Sequence, residues 1–476
     1  MSTEVTVLGQ GESDGMGVKT EHPAYSAYKG RWRRMGDVLE GQDVVAETGK
    51  TYLPKPGGIR DLEASDDHKN KLAAIEEWRA YKERATFPTW TRDAVRSMSG
   101  LVRKLDQDVK LPSKLEYLKE SATGDGFTLE QLHVRIVAET LSYGRCVLWV
   151  DVDKDGKAYI ATYDALSFIN WKESKGTEGN ELKLAVLRES KETGGEFSHQ
   201  CEDTWRVASL DENGNLMVRL FSESDMNPEP IEMTAFGGKP LKSIPLVVVG
   251  SRDNAPDVDD IPLEGMALAA LQFFRVSADY YKSLHMSSHP ILVVKGSKIS
   301  SDNGTVDTGP AVAWDIPADA DVKYVEAPGN GIAQQREEMN MLKSSAMEVG
   351  AKAMDTSGAE SGEARKARQD DQRATLATCV TTAAQGIERA LRYCAEIMGA
   401  NAEEVSYNVK PDFSAHDVDS QMVGQLQAMV NAGYIAPSSL FDYIRTGKMP
   451  EHDYEDEILA IQAQRAIGGN PADAEE

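Results

Sequence analysis

Cysteine is scarce in this sequence, and its scarcity bears on both redox state and metal binding. The chain has four cysteines among 476 residues, widely spaced and without a C-x-x-C pair. A disulfide framework or a structural zinc site needs more cysteines at closer spacing. We therefore expect a reducing compartment and no structural metal.

Short motifs that carry chemistry are also missing. The chain has no G-x-x-x-x-G-K-[ST] loop, no H-E-x-x-H and no G-x-G-x-x-G after a strand. The G-x-S-x-G match at residues 11–15 lacks the flanking strand and helix of a nucleophile elbow. The run DVDKDG at residues 151–156 resembles a calcium loop, but Thr162 stands where a bidentate glutamate is required. We predict no enzymatic activity, no cofactor and no metal.

Positive charge is in deficit. There are 52 lysines and arginines against 77 acidic residues, a net charge of −25. Proteins that bind nucleic acid tightly carry an excess of lysine and arginine, because basic side chains displace counterions from phosphates. The chain therefore either has no nucleic-acid partner or contacts nucleic acid without binding it tightly. Arg275 and Asp279 interrupt the longest apolar pattern, so no membrane span is expected.

What the sequence does contain is a long helical pattern at residues 262–284. Apolar residues recur there at spacings of three and four, and a second stripe runs beside the first. A narrower seam follows at residues 331–354. Between them, strand-like runs at 291–295, 311–314 and 322–326 are separated by glycines and prolines. The pattern predicts a small β insertion carried on two helices, although a buried core helix would also explain the first stretch.

The remaining chain predicts an α+β fold. Residues 22–261 are predicted to form helices followed by strands. Hairpin turns are expected at Asp155-Gly156 and Asn213-Gly214, and the strands form a meander whose last strand is 245–249. Arg31, Arg33 and Arg34 are expected to face water or surface ion pairs. A polar connector at 355–363 precedes a long helix at 363–398. A strand at 405–409, a helical region at 421–444 and a solvated acidic tail from residue 451 complete the prediction.

Several stretches, taken in order, resemble a tailed-bacteriophage portal protein, the head-to-tail connector, and within that class a portal-like family once catalogued as a domain of unknown function. The co-linear order over residues 22–461 carries the resemblance, since no single stretch is a short and specific motif. The stretches are HPAYSAYKGRWRRMGDVLEG with YLPKPGG, YKERATFPTWTRDAVRSMSGLVRK, ETLSYGRCVLWVD, IPLEGMALAALQFFRVSADYYKSLHMSSHPILVVKG, GNGIAQQREEMNMLKSSAMEVGAKAM and GEARKARQDDQRATLATC.

The resemblance implies a portal-type division of the chain. It comprises a disordered arm (1–21), an α+β wing (22–261), two stem helices (262–288 and 329–354) with a clip between them (289–328), a tunnel loop (355–363), a long tunnel or wing helix (364–399), a wing return with a short crown (400–450) and an acidic tail (451–476). The region after Gly399 is short, so a large crown barrel is not expected.

The resemblance also implies a function. About twelve subunits would form a ring at one capsid vertex, and double-stranded DNA would be packaged and ejected through its channel without sequence-specific contacts. The implied partners are other copies of the chain, the terminase large subunit, head–tail adaptor or tail proteins, and the major capsid and scaffolding proteins. The implied location is the virion, and the host cytoplasm during assembly. An acidic channel wall would let DNA slide without adhering.

Two residue sets follow from this resemblance. The expected DNA-channel set contains Arg336, Lys343, Lys352, Asp355, Thr356, Ser357, Gly358, Glu360, Ser361, Glu363, Lys366 and Arg368. The expected subunit-interface set contains Leu263, Met266, Ala270, Phe273, Phe274, Tyr280, Tyr281, Met339, Leu342 and Val349.

Two other classes of protein remain open. A cytosolic oligomeric scaffold without a DNA channel would explain the helices equally well, and light scattering would separate it from a ring. A capsid-associated nuclease or ATPase would show turnover in an assay with a metal titration.

Overall fold

A computed structural model describes residues 17–48, 51–176, 179–195, 197–288, 291–295, 321–325, 330–350, 362–411, 413, 420–446 and 454–467. The chain divides into two compact units, Met1–Pro411 and Asp412–Glu476. Helices and strands are mixed, and this confirms the α+β class. The assignment of segments to wing, stem, clip and crown stays a prediction.

Twelve helices of the described chain are numbered in order. They are α1 (Pro23–Glu40), α2 (Gln42–Glu47), α3 (Gly57–Ala64), α4 (His68–Arg84), α5 (Trp90–Val102), α6 (Leu129–Tyr143), α7 (Glu264–Ser287), α8 (Asn330–Val349), α9 (Gly362–Ile397), α10 (Ser420–Asn431), α11 (Pro437–Thr446) and α12 (Tyr454–Ile467).

The strands of the described chain form five sheets, in the orders β1-β14, β10-β9, β11-β2-β3, β12-β13 and β4-β5-β6-β7-β8. They are β1 (Gln107–Lys110), β2 (Arg145–Val152), β3 (Ala158–Tyr163), β4 (Phe168–Gly176), β5 (Gly179–Glu192), β6 (Cys201–Leu210), β7 (Leu216–Ser222), β8 (Ile231–Glu232), β9 (Thr234–Ala235), β10 (Lys239–Pro240), β11 (Leu246–Gly250), β12 (Ile291–Lys295), β13 (Asp321–Val325) and β14 (Ser406–Val409).

Both hairpin turns occur where they were predicted. Gly156 joins β2 to β3 at φ 76°, and Gly214 joins β6 to β7 at φ 75°. In the first turn Asp153 Oδ1 accepts hydrogen bonds from the backbone N–H groups of Asp155 (2.9 Å) and Lys157 (2.8 Å). The run that resembles a calcium loop is therefore closed by its own carboxylate.

The strand predicted at 245–249 is present as β11, but its assignment to the meander is wrong. β11 pairs with β2 in the three-stranded sheet, with Leu246 opposite Trp149. The reason lies in its composition. All five residues of β11 are buried, whereas β7 carries half-buried and exposed residues among its buried ones. A strand covered on both faces fits the centre of the unit, where α6 and α9 pack on it.

Helix α6 shows how local sequence fixes these elements. Thr128 and Gln131 form a capping box at its start, and Gly144 ends it in the left-handed region at φ 77°. A Cβ on Gly144 would lie 2.7 Å from the carbonyl oxygen of Asp260. Only glycine fits both the dihedral angle and the space. The turn therefore joins α6 directly to β2 in the core.

A buried arginine links α1 to the sheets. Arg145 is fully buried, and its guanidinium carbon lies 4.6 Å from the ring centre of Trp32 and 5.0 Å from that of Trp171. Its Nη2 donates to the carbonyl oxygens of Ala165 (3.1 Å) and Phe168 (2.8 Å). Burial lowers the pKa of Arg145 to about 9. The aromatic faces and carbonyl oxygens take the place of a carboxylate partner.

The second unit corrects the prediction of a solvated tail. α12 occupies residues 454–467, and Glu457 accepts hydrogen bonds from the backbone N–H of Ala436 (2.7 Å) and the hydroxyl of Ser439 (2.8 Å). These donors lie at the start of α11, where helical N–H groups lack partners and a carboxylate is favoured. The acidic residues are thus partly used as a helix cap. Residues 468–476 lie outside the described residues.

Candidate functional site

The first part of α7 is buried within its own unit. Met266, Ala270 and Phe274 have no exposed surface. The ring of Phe274 meets that of Phe87 edge-on with 6.0 Å between centres, and Phe273 meets Trp90 in the same way at 5.1 Å. Apolar burial of this kind stabilises by about 25 cal/mol per Å². The start of α7 is therefore a core helix packed on the segment that precedes α5 and on α5 itself.

Polar contacts also attach α7 to the helices before it. The backbone N–H of Thr86 donates to Ser277 Oγ at 2.9 Å, and the hydroxyl of Tyr81 donates to Asp279 Oδ1 at 2.6 Å. Tyr81 is buried, and burial together with this bond raises the pKa of its hydroxyl above its ordinary value. These bonds fix the rotation of α7 about its axis, because each requires one particular face of the helix.

A carboxylate shared by two arginines anchors the start of α7. Glu264 accepts from Nε (2.8 Å) and Nη2 of Arg31, and from Nη2 of Arg34 at 2.9 Å. Hydrogen bonding by Arg31 and Arg34 lowers the pKa of Glu264 below its ordinary value. Arg31 and Arg34 thus form ion pairs and Arg33 is exposed, and both outcomes agree with the expectation of water or ion pairs for these arginines. We call Arg31, Arg34 and Glu264 the anchor cluster.

α8 returns along α7 and meets its start. A Cβ on Gly350 would lie 3.0 Å from Met266 Cε and 3.1 Å from Leu263 Cδ2, and a Cβ on Gly265 would lie 3.4 Å from Val349 Cγ1. The two helices pack against each other and run in opposite directions, since the end of α8 contacts the start of α7. Small residues at this contact allow the two backbones to approach closely.

Burial corrects part of the predicted subunit interface. Leu263, Met266, Ala270 and Phe274 are at most 2% exposed in the single chain. A buried side chain has no surface left for another copy, so these four residues belong to the core of their own unit. The others keep accessible surface: Val349 is 41% exposed, and the half-buried members are Phe273, Tyr280, Tyr281, Met339 and Leu342.

The far end of the helix pair is more exposed. Leu284 and Met286 near the end of α7 are 39% and 55% exposed, and Met341 in the middle of α8 is 54% exposed. β12 follows α7, β13 precedes α8, and the two pair antiparallel with Ile291 opposite Val325. Two of the three predicted insertion strands therefore form one ladder. The third predicted run, 311–314, lies outside the described residues.

The predicted channel residues are only partly described. Arg336 and Lys343 are exposed on α8, two helical turns apart. Glu363, Lys366 and Arg368 lie in the first part of α9. The remaining members lie outside the described residues: Lys352, Asp355, Thr356, Ser357, Gly358, Glu360 and Ser361. Their role stays a prediction.

The anchor cluster is what sequence reasoning missed. Arg31 and Arg34 stand out in the sequence, but their partner lies 233 and 230 positions away along the chain. A signal was available, because Arg31 and Arg34 are three residues apart on one helix face and Glu264 is the first residue of the long helix α7. Pairing them required knowing that α1 packs against α7.

The described residues contain neither a metal-binding cluster nor a membrane-spanning helix. No group of three or more His, Cys, Asp or Glu side chains there is arranged to hold a metal ion. None of the helices in that part of the chain combines the length and the apolar character needed to cross a bilayer.

One family model matches part of the chain. It is described as "Domain of unknown function (DUF4055)" and covers residues 262–398, which contain α7, β12, β13, α8 and α9. The match spans less than a third of the chain. No curated protein matches.

Solved structures of gene transfer agent particles are similar to this chain at low identity. The first, "Virion of native gene transfer agent (GTA) particle", is 12% identical, covers 87% of this chain and 99% of that chain, and has a TM-score of 0.40. "Neck of native GTA particle computed with C12 symmetry" is 14% identical, covers 75% of this chain and 89% of that chain, and has a TM-score of 0.40. "Neck of empty GTA particle computed with C6 symmetry" is 11% identical, covers 86% of this chain and 98% of that chain, and has a TM-score of 0.40. Likeness at this level leaves the function to be inferred from the chain's own residues.

Proposed function

We propose that this chain is a portal protein, whose copies form a closed ring of about twelve subunits at one capsid vertex. Double-stranded DNA would enter and leave through the ring. The observation that carries the proposal is the helix pair α7 and α8. Its base is fixed to the first unit by the anchor cluster and by the contact at Gly350, and its far end leads into the β12–β13 ladder.

A ring needs exposed surface on each copy, and the helix pair retains some. Leu268 and Met286 on α7, with Met341 and Val349 on α8, are between 41% and 55% exposed. We propose that these residues and the half-buried members of the predicted set contact neighbouring copies. A heterologous contact of this kind closes into a ring when each copy is rotated by the same angle.

The charge of the chain suits a channel. At a net charge of −25 per copy, a ring presents an acidic wall that repels phosphates, so DNA can slide without sequence-specific binding. Arg336 and Lys343 are exposed cations on α8, and they would provide weak local contacts. In this proposal the protein works without turnover of its own and needs no cofactor.

The proposed partners act at different parts of the ring. The β12–β13 ladder and the residues between its strands would dock the terminase large subunit and later a head–tail adaptor or tail protein. The outer part of the first unit would face major capsid and scaffolding proteins. The assembled protein would reside in the virion, after assembly in the host cytoplasm.

The test is the mass and shape of the purified full-length chain. We expect rings in negative-stain images and a matching oligomer in native mass spectrometry. Met341→Glu should lower the ring fraction, because it places a charge in the proposed contact. Leu72→Glu, which changes an apolar residue on α4 that is 49% exposed, is the matched control and should leave the rings intact. A monomer at micromolar concentration that persists with capsid components present would exclude the proposal.

The DNA channel needs a separate test. Deleting residues 357–362 should leave ring assembly and thermal stability unchanged but reduce the DNA retained per particle. A deletion mutant that fills and holds DNA normally would contradict the assignment of the tunnel loop.

A further inference from the structure

A short segment before α1 lies against the five-stranded sheet. The backbone N–H of His22 donates to the carbonyl oxygen of Ile169 on β4 at 2.9 Å. Three residues earlier, Lys19 Nζ lies 4.5 Å from the ring centre of Trp205 on β6. We call residues 17–22 the N-terminal strap. Its contacts with the sheet come from one main-chain bond and from side chains, so a change in a single side chain can affect how it is held.

The side chain of His22 joins the strap to both α1 and β4. Its ring stacks on that of Trp171, with 3.8 Å between the centres and 20° between the planes. Its Nδ1 accepts a hydrogen bond from the backbone N–H of Ala24 at 3.2 Å, and this bond caps the start of α1. Pro23 has no N–H, so the Ala24 N–H is the first amide of α1 that needs such a partner.

This cap requires the neutral form of the His22 ring. Because Nδ1 accepts a hydrogen bond, the proton of the neutral ring is on Nε2. A protonated ring carries hydrogen on both nitrogens and cannot accept from Ala24. It also places a positive charge at the start of α1, where the helix dipole is already positive. Protonation therefore removes the cap and adds a repulsion at the same place.

A second cation lies close to the stacked rings. The guanidinium carbon of the buried Arg145 is 5.0 Å from the ring centre of Trp171. An aromatic face attracts one cation, but a protonated His22 on the same ring would meet the charge of Arg145. In this protein the stack on Trp171 thus suits a neutral imidazole better than a charged one.

Carboxylates near His22 act in the opposite direction. Asp257, between β11 and α7, favours the charged ring. Glu21 is adjacent in the chain, but it forms an ion pair with Lys29 of α1, which compensates its charge locally. Burial of the ring has the largest influence and lowers the pKa of His22 below its ordinary value of 6.5. The neutral ring is therefore the favoured form in the folded protein.

We propose that the N-terminal strap is a pH-sensitive latch, which neutral His22 holds on β4 and protonated His22 releases. The pair between Lys19 and Glu223 at 3.7 Å would not retain the strap, because both side chains are exposed and such pairs contribute little. Release leaves α1 without its cap and uncovers one face of Trp171. The latch does not depend on ring formation.

The pH range of the latch follows from the direction of the pKa shift. The pKa of His22 is lower in the folded protein than its ordinary value of 6.5. Its contribution is therefore complete above pH 6.5 and is lost as the pH falls through the lowered pKa. Glu264 titrates in a more acidic range, since its pKa lies below 4.5. Release of the strap should therefore precede loss of the anchor cluster on acidification.

Hydrogen exchange of the full-length chain, followed by mass spectrometry and corrected for the intrinsic rate at each pH, tests the latch. Between about pH 7.5 and about pH 5, where histidine titrates, protection of the His22 and Ala24 amides should fall about fivefold, as expected for loss of a helix cap. Peptides from the middle of α6 should keep their protection. An unchanged protection at His22 and Ala24 would overturn the proposal.

Two variants of His22 separate protonation from packing. His22→Asn keeps a side-chain oxygen that can cap α1 but cannot be protonated, so its protection should persist at acidic pH. His22→Ala has neither cap nor stack and should be poorly protected at both pH values. His68→Asn, a matched change on the exposed surface of α4, should respond to pH as the parent protein does. If His22→Asn loses protection on acidification like the parent, or if His22→Ala stays protected, the latch is excluded.

Discussion

The two ends of α7 carry the same sequence pattern but lie in different surroundings. Near its start, Met266, Ala270 and Phe274 have no exposed surface, while near its end Leu284 and Met286 are 39% and 55% exposed. Spacings of three and four identify residues that share a helix face. They do not tell whether the surface that covers this face belongs to the same chain. The start of α7 is covered by its own unit, and the end has surface available for a partner.

The largest effect is expected at the buried end. Phe274→Ala should lower the free energy of unfolding by about 3–5 kcal/mol, because it removes a buried aromatic ring and leaves a cavity beside Phe87. Leu268 lies on the same helix but is 46% exposed, so Leu268→Ala should change the free energy of unfolding by less than about 0.5 kcal/mol. Chemical denaturation monitored by circular dichroism measures both. Equal losses would mean that the two faces of α7 are not distinguished by burial.

Removing the anchor should have the next largest effect. Glu264→Gln leaves Arg31 and Arg34 without their carboxylate and should cost roughly 2 kcal/mol. The pKa of Glu264 lies below its ordinary value of 4.5 in the folded protein. Its contribution is therefore present above that value and lost as the pH falls through the lowered pKa.

The pH dependence distinguishes this anchor from an ordinary surface pair. The unfolding free energy of Glu264→Gln should approach that of the parent protein at acidic pH. Glu77→Gln, which removes an exposed pair with Lys282 at 3.5 Å, should cost less than about 0.5 kcal/mol. A difference between Glu264→Gln and the parent that is independent of pH would assign the loss to packing.

A smaller effect is expected where the buried part of α7 gives way to the exposed part. Tyr81→Phe removes the hydrogen bond to Asp279 and should cost about 1 kcal/mol. Tyr280→Phe is the control, because the Tyr280 hydroxyl has no hydrogen-bond partner among the described residues. The measurement is the melting temperature of the two variants beside that of the parent protein. An unchanged melting temperature for Tyr81→Phe would show that the hydrogen bond to Asp279 is not needed for stability.

The smallest effect on folding is expected at the exposed end. Met286→Ala should change the unfolding free energy by no more than about 0.5 kcal/mol. If the proposed ring is correct, the same variant should reduce the oligomer fraction in native mass spectrometry. A large loss of monomer stability would place Met286 in the core of its own chain and remove the contrast between the two ends.

Local signals in the sequence predicted elements well and their partners poorly. Gly156 and Gly214 turn the chain as expected, because the required backbone conformation depends on a few neighbouring residues. The pairing of β11 with β2 was missed, since a strand buried on both faces gives no alternation that would indicate its neighbour. The anchor cluster was missed for a related reason: Arg31 and Glu264 meet only after the chain has folded.

The predicted interface failed at four positions for a physical reason. Leu263, Met266, Ala270 and Phe274 have the size and spacing that suit either a subunit contact or a core. Only the presence of α5 and α8 beside them decides between the two. Val349 and the half-buried residues of the set keep surface, so the prediction for them stays open to the oligomer measurements.

The aromatic surroundings of Arg145 also provide an optical probe. All seven tryptophans of the sequence fall within Met1–Pro411, and none lies in Asp412–Glu476. Trp32, Trp149, Trp171 and Trp205 are buried, so their emission will shift to longer wavelength when water reaches them. Tryptophan fluorescence will therefore record the melting of the first unit alone. The second unit, which contains tyrosines, must be followed by circular dichroism, and the difference between the two curves gives its separate transition.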